Sequence, residues 1–148
     1  MAIQLREFTA DDYEAALALW KRCEGIGLSA ADSPCAVKAF LKRNPGLNFT
    51  AAVDGKIIGT ALCGQDGRRG YLYHLAVDPD YRRQGLGKQL ASACLAGLKS
   101  AGIQKCHIMV FATNQAGLAF WQSFGWKARP EIELLSYDIE PTGDSSPC

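Results

Sequence analysis

Little in this 148-residue chain ties it to a metal, a membrane or a polyanion. It has only two histidines, and its six cysteines (Cys23, Cys35, Cys63, Cys94, Cys106 and Cys148) include no CxxC pair, which leaves no zinc pattern. No run approaches the ~18–20 consecutive apolar residues needed to cross a bilayer. Sixteen Lys and Arg stand against fifteen Asp and Glu, so no global field argues for nucleic acid or an anionic membrane. There is no secretory leader, and several cysteines fall in apolar-periodic runs where a free thiol behaves as a small hydrophobe. Both point to a reducing, cytoplasmic setting. Repeats and internal domain boundaries are also missing. A chain of this length buries about two-thirds of its unfolded surface, enough for one core without metals or disulfides.

The elements that are present alternate in type. Residues 3–8 read as a first strand. Thr9 is a cap for a helix through Arg22, with Asp11 and Asp12 in its first turn and Tyr13, Ala16, Leu17 and Trp20 facing inward. A shorter helix over 34–43 starts at Pro34 and stops at Asn44-Pro45-Gly46. Strands over 49–53 and 57–63 alternate around Asp54-Gly55, the strongest hairpin signal in the chain. A central strand over 70–77 precedes a helix over 85–100, a strand over 105–111, a helix over 115–124 and a last strand over 133–139. This order predicts a single-domain α/β fold with a mixed, mostly antiparallel central sheet flanked by helices, over residues 1–140. Residues 141–148, rich in Pro, Ser and Gly, read as a flexible tail.

One turn carries most of the functional information. Between the central strand and the long helix runs Arg82-Arg83-Gln84-Gly85-Leu86-Gly87-Lys88, basic and glycine-spaced. Glycines there leave the backbone uncovered where it bends into a helix, so a pyrophosphate can approach the N–H groups of residues 83–88. Arg82, Arg83 and Lys88 add to the field. Neither GxGxxG nor the P-loop pattern is met, because Leu90 stands where the third glycine would be and Gln89 follows Lys88.

These residues resemble the pyrophosphate signature of the GNAT superfamily of N-acetyltransferases: Arg or Gln, two residues, Gly, one residue, Gly or Ala. The preceding residues 75–81 resemble the usual strand end and turn. Asn114, followed by Ala119-Phe120-Trp121-Gln122-Ser123-Phe124-Gly125-Trp126, resembles the family's second diagnostic stretch, and the two motifs together cover residues 72–126. The resemblance implies acetyl-CoA as donor, with pyrophosphate over 83–88 and the pantetheine arm between splayed strands at 70–77 and 105–111. Asn114, Phe120 and Trp121 would lie along that arm, although Asn114 also reads as a helix N-cap. A backbone donor for the thioester carbonyl is expected near Leu75, Ala76 and Val77. The implied reaction is direct acetyl transfer to a primary amine on a small molecule, peptide or protein. Oligomerisation is common in the family, which makes a homodimer a candidate assembly.

The acid–base groups are less clearly marked. Where the family often has a tyrosine acid, this chain has Trp121, whose indole N–H does not release a proton to a leaving thiolate. Tyr71, Tyr73 and Tyr137 are the substitutes; alternatively the thiolate leaves unprotonated. The central strand has no carboxylate. His74, of a type that titrates near ~6.5, is the base candidate there, with a hydrogen-bonded sheet histidine as the competing role. Strand alternation groups His74 with Leu72 and Ala76, opposite Tyr71, Tyr73, Leu75 and Val77. Glu24, opening a glycine-containing run, is a second candidate for meeting the acceptor ammonium or a solvated helix-end charge, and Asp32 is a weaker version of it. His107 reads as a packing histidine. The lack of Tyr at 121 and of Glu on the strand also leaves room for a non-catalytic acyl-CoA sensor or protein-interaction module.

Overall fold

In the computed structural model, which describes residues 2–140, β1 (Gln4–Glu7) runs antiparallel to β2 (Phe49–Val53), and β2 turns back into β3 (Lys56–Gln65). The turn is the one the sequence marks: Asp54 and Gly55 take φ of 49° and 78°, left-handed values that match the twist of a two-residue hairpin to its strands. β4 (Gly70–Val77) continues the sheet antiparallel to β3, and β5 (Cys106–Ile108) closes it parallel to β4. The strand order is β1-β2-β3-β4-β5, so the mixed, mostly antiparallel sheet expected from the sequence is present.

Helices cover both faces. α1 (Tyr13–Arg22) and α2 (Pro34–Arg43) lie on one, α3 (Leu86–Ser100) and α4 (Gln115–Ser123) on the other. α2 begins as its sequence dictates, with Pro34 in the first turn and the Ser33 hydroxyl accepting from the Ala36 N–H. α1 buries Tyr13, Ala16, Leu19 and Trp20 against Ala52, Leu62 and Ala76, and Leu17, expected inside, only packs against the edge of this cluster. α3 buries Leu86, Leu90, Cys94 and Leu98 against Ile58, Cys63 and Leu72. Cys23, Cys63, Cys94 and Cys106 are free thiols. The hydrogen bond with Cys106 pulls the Cys63 thiol down, but the Cys94 thiol and burial outweigh it and push Cys63 up to about 12, so this thiol packs as a small hydrophobe rather than reacting.

Three expectations need correction. The strand expected over 105–111 pairs only at 106–108. The strand expected over 133–139 does not form: these residues are exposed and join no ladder, and an extended segment without a ladder partner is not a strand. The proposed tail at 141–148 lies outside the described residues.

The third correction decides the geometry of the site. Thr60 faces Ala76, while Leu62, two residues on, faces Tyr73, three residues back. The extra residue on β4 is a β-bulge, and His74 sits in it at φ 48°. A non-glycine residue in this region costs on the order of 1–3 kcal/mol and persists only where its surroundings hold it. Thr60 supplies part of that hold: its hydroxyl donates to the His74 carbonyl at 2.9 Å and accepts the Trp20 indole N–H at 2.9 Å. The bulge resets the alternation. Tyr73 packs on Phe40 with ring centroids 6.0 Å apart, and His74 on Trp20 at 4.7 Å, so two consecutive side chains look toward α1 and α2. Leu72, Leu75 and Val77 take the α3 side. The grouping of His74 with Leu72, opposite Tyr73, therefore fails by one inserted residue.

Candidate active site

β4 and β5 pair from Gly70 with Cys106 to Leu72 with Ile108 and then part. Beyond that point a cleft of about 810 Å³ opens between them, bounded by residues 72–77, residues 108–111, the 23–27 loop, the first turn of α3 and the start of α4. The β4 main chain lines it. The Val77 carbonyl accepts from Arg82 Nε at 3.1 Å and from Cys23 Sγ at 3.6 Å, whereas the next N–H, Asp78, turns to the Ile58 carbonyl at 2.8 Å. Strand alternation then turns the N–H groups of Val77 and Leu75 toward the opening and that of Ala76 toward β3.

One end of the cleft is the N-terminus of α3. Gly85 is its N-cap at φ 76° and offers no side-chain bond. The N–H groups of Leu86, Gly87 and Lys88 fall in the first turn, where the helix itself has no acceptor for them. α4 differs, because Asn114 Oδ1 accepts the Gly117 N–H at 2.9 Å. A Cβ on Gly85 would meet nothing within 4 Å, and one on Gly87 would stand 3.2 Å from Phe120 Cζ. The backbone is thus bare on one side and packed on the cleft aromatics on the other. Arg83 (φ 65°) and Lys88 are exposed, Lys88 Nζ lying 5.9 Å from the Phe124 ring centroid. Arg82 is tied to the strand end through its Nε, and Gln84 is exposed in the turn outside the cleft lining. Asp78, which sequence reasoning passed over, fixes the turn: it accepts the Asp80 N–H at 3.0 Å and pairs with Arg22 at 3.0 Å. Burial pulls its carboxyl up, but the Asp80 N–H and the charges of Arg22 and Lys56 outweigh that and hold it below the usual carboxylate range.

The other end is made of side chains. His74 Nε2 lies 2.6 Å from Asp32 Oδ1, both side chains nearly buried. The second Asp32 oxygen accepts the Ser29 N–H at 2.9 Å, and the Tyr13 hydroxyl donates to the Asp32 carbonyl at 2.6 Å. Burial raises the Asp32 carboxyl, yet the bonds from His74 and Ser29 bring it below its ordinary value. The signal for Asp32 was in the sequence as the spacing Ser29-x-x-Asp32, a capping box; its reach to His74 was not. Glu24 lines the cleft from the loop after α1. That loop comes close to the β5 exit: a Cβ on Gly25 would be 2.7 Å from Asn114 Nδ2, and one on Gly27 3.2 Å from Phe111 Cζ.

Of the tyrosines, Tyr73 and Tyr81 line the cleft, and Tyr71 lies outside the lining against His107, with ring centroids 5.8 Å apart. Tyr137 is exposed and does not line it. Burial raises the Tyr73 phenol. Phe120 and Trp121 form the aromatic wall, Trp121 meeting Trp126 edge-on with ring centroids 4.9 Å apart. Among the described residues no group of three or more His, Cys, Asp or Glu could hold a metal, and no helix is long and apolar enough to cross a membrane.

The model of the acetyltransferase (GNAT) family matches residues 4–126. The chain belongs to the GNAT family of N-acetyltransferases. An acetyltransferase of Pectobacterium atrosepticum is 33% identical over 138 residues, 93% of this chain and 97% of its own length. The PaiA N-acetyltransferase of Thermoplasma acidophilum, solved with coenzyme A, superposes with a TM-score of 0.75 at 22% identity over 87% of this chain and 92% of that one. The ribosomal-protein-S18-alanine N-acetyltransferase of Escherichia coli does so with a TM-score of 0.67 at 27% identity, over 84% and 77%. This GNAT chain therefore has the acyl-CoA N-acyltransferase fold, and it is an enzyme of acetyl transfer.

Proposed function

We propose that the chain transfers an acetyl group from acetyl-CoA to a primary amine by direct attack in a ternary complex. The observation that carries this is one cleft with a side-chain-free helix N-terminus at one end and a buried His–Asp pair at the other. The pyrophosphate lies over the N–H groups of residues 83–88, with Arg83 and Lys88 neutralising it and Arg82 anchoring the turn. The pantetheine arm follows Leu75, Ala76 and Val77 past Asn114, Phe120 and Trp121. In the reaction the amine nitrogen forms a bond to the thioester carbon, negative charge gathers on the carbonyl oxygen near the open β4 N–H groups, and the C–S bond breaks. With Nε2 of His74 held by Asp32, the lone pair of the neutral ring is on Nδ1, which takes the ammonium proton directly or through water. Glu24 meets the cationic acceptor at the mouth. The thiolate leaves without an obligatory protein donor and takes up the remaining proton of the attacking nitrogen through solvent, since the Trp121 indole N–H does not release its own.

The near-neutral chain selects no highly charged acceptor. The ribosomal-protein-S18-alanine N-acetyltransferase of Escherichia coli acts on an alanine of a protein, and both small-molecule amines and peptide amines fall within the reading. The setting is the cytoplasm, with no nucleic acid or membrane as partner.

The test is calorimetric binding of acetyl-CoA and free CoA, followed by thiol release across a panel of amines. Binding with turnover of at least one amine is expected, and Tyr73→Phe should keep kcat within about tenfold, short of the ~10²-fold or more that a general acid supplies. A folded protein that does not bind CoA would overturn the reading. Trp121, standing where the family often has its acid, favours a second one, a non-catalytic acyl-CoA sensor. CoA binding with no thiol release from any amine would establish that instead.

A further inference from the structure

The cleft has two faces of different make-up. Leu75 and Val77 of β4, with Ile108 of β5 and Val110 after it, pack on the α3 cluster. Alternation leaves Met109 and Phe111 to the opposite face, where they are 54% and 59% exposed. The bulge turns Tyr73 and His74 to that same face. The 23–27 loop completes it, because Ile26 packs at the edge of the α1 cluster and Gly27 comes up against the Phe111 ring. Isolated exposed apolar residues are ordinary; two large ones lining one cleft beside a buried His–Asp pair mark a seat for an apolar group.

Charge narrows the class of that group. Among the described residues the cleft lining holds one carboxylate, Glu24, while its cations, Arg82, Arg83 and Lys88, all belong to the turn before α3 and the first turn of that helix. Arg22, two residues before Glu24, is tied to Asp78 at 3.0 Å. A second ammonium on an acceptor would therefore enter the apolar face without a partner, and so would a carboxylate beside the reacting amine, each at the cost of its hydration. We propose, resting on the acetyl-transfer reading above, that the acceptor is a monocationic primary amine carried on an apolar group with no carboxylate beside it, as in an aralkylamine or the first residue of a peptide. Its ammonium lies between Glu24 and His74, and its apolar group lies on Ile26, Met109 and Phe111. Polyamines and free amino acids fall outside the class.

Calorimetric binding of matched amines to the protein saturated with CoA tests this without requiring turnover. Phenethylamine is compared with phenylalanine, which adds a carboxylate, and hexylamine with hexamethylenediamine, which adds an ammonium. The first of each pair should bind at least about tenfold tighter. A phenylalanyl peptide amide set against phenethylamine tells the two sources apart, the tighter binder being the source. Glu24→Gln should weaken phenethylamine only a few-fold, because the pair it forms is exposed. Met109→Glu, at an exposed position, should keep its dichroism and its Kd for CoA and move the hexylamine to hexamethylenediamine preference about tenfold toward the diamine; should it fail to fold, Phe111→Glu takes its place with the same outcomes. The proposal is overturned if none of these amines binds, if phenylalanine or the diamine binds as tightly as its partner, or if the added carboxylate leaves the preference unchanged. Thiol release from acetyl-CoA with the same amines keeps the two readings apart: the expected preference in binding with no thiol release from any amine would support the apolar, monocationic seat and overturn acetyl transfer.

Discussion

The two ends of the β4 cleft, the one we assign to the cofactor and the one we assign to the acceptor, are made from different materials. At the end proposed for the cofactor, consecutive residues 83–88 would act chiefly through their main chain, and the side chains that matter most are the ones Gly85 and Gly87 lack. The end proposed for the acceptor is built of side chains brought from far apart: His74 from β4, Asp32 from 42 positions away, Thr60 from β3 and Trp20 from α1. A main-chain site tolerates most side-chain changes and fails when its space is filled. The side-chain site fails when one partner is removed. The comparison predicts which substitutions separate binding from turnover.

The largest effect is expected at His74. Asparagine is the substitution of choice, because it tolerates the left-handed backbone of the bulge better than most residues. His74→Asn should lower kcat by about 10²–10⁴-fold, the usual range for a positioned general base, with the Kd of CoA unchanged. Asp32→Asn, which removes the charge that orients the ring, should lower kcat by a smaller factor and again spare CoA binding. Steady-state kinetics beside calorimetry reads both. If kcat in His74→Asn stays within about tenfold of the parent, His74 is the structural residue its contact with Trp20 also allows, and the acceptor end has no base on β4.

Gly87→Asp is the reciprocal experiment. A carboxylate in the first turn of α3 suits the helix dipole, so the fold should keep its Tm, and the Phe120 ring has to yield only a few tenths of an ångström to the new Cβ. The same carboxylate stands where a pyrophosphate would lie. The Kd for CoA should rise by roughly 100-fold, about 2.7 kcal/mol, with the little residual turnover still dependent on His74. Unchanged CoA affinity in a folded Gly87→Asp would detach the phosphate from this turn and leave the glycines a purely structural role.

The same contrast explains what could be read from the sequence. The hairpin at Asp54-Gly55, the Pro34 helix start and the 82–88 turn are local, each fixed by backbone preferences of two to seven neighbouring residues, and each is found where the sequence put it. The bulge at His74 is not local. It is fixed by Thr60 and Trp20 from other elements, and period-2 alternation therefore put Tyr73 and His74 on opposite faces when they share one. Asp32 reads in the sequence only as a weaker counterpart of Glu24; it caps its own turn, and only the bulge turns His74 toward it. Residues 133–139 show the reverse case: their alternation is strong, and no strand forms within the chain because the ladder partner is missing.

The smallest expected effect concerns Asp78, the carboxylate that holds the turn between β4 and α3. Its folded pKa lies below the ordinary carboxylate value, because the Asp80 N–H and the charges of Arg22 and Lys56 outweigh the effect of burial. A depressed folded pKa means that the unfolded chain takes up the proton first as pH falls. The stabilisation is therefore complete above the unfolded value of about 3.9 and is lost as pH drops through the lower folded value. Asp32 is shifted the same way and adds to the same acid limb. Thermal unfolding between pH 7 and pH 3 should show Asp78→Asn with a lower Tm at neutral pH and a shallower fall on acidification. Because Asp78 shapes the turn that presents the α3 N-terminus, its variant should also weaken CoA binding modestly while kcat at saturating CoA stays near that of the parent. A variant with full CoA affinity but reduced kcat would place Asp78 in the acceptor end instead, and the division of the cleft into a main-chain half and a side-chain half would have to be redrawn at the end of β4.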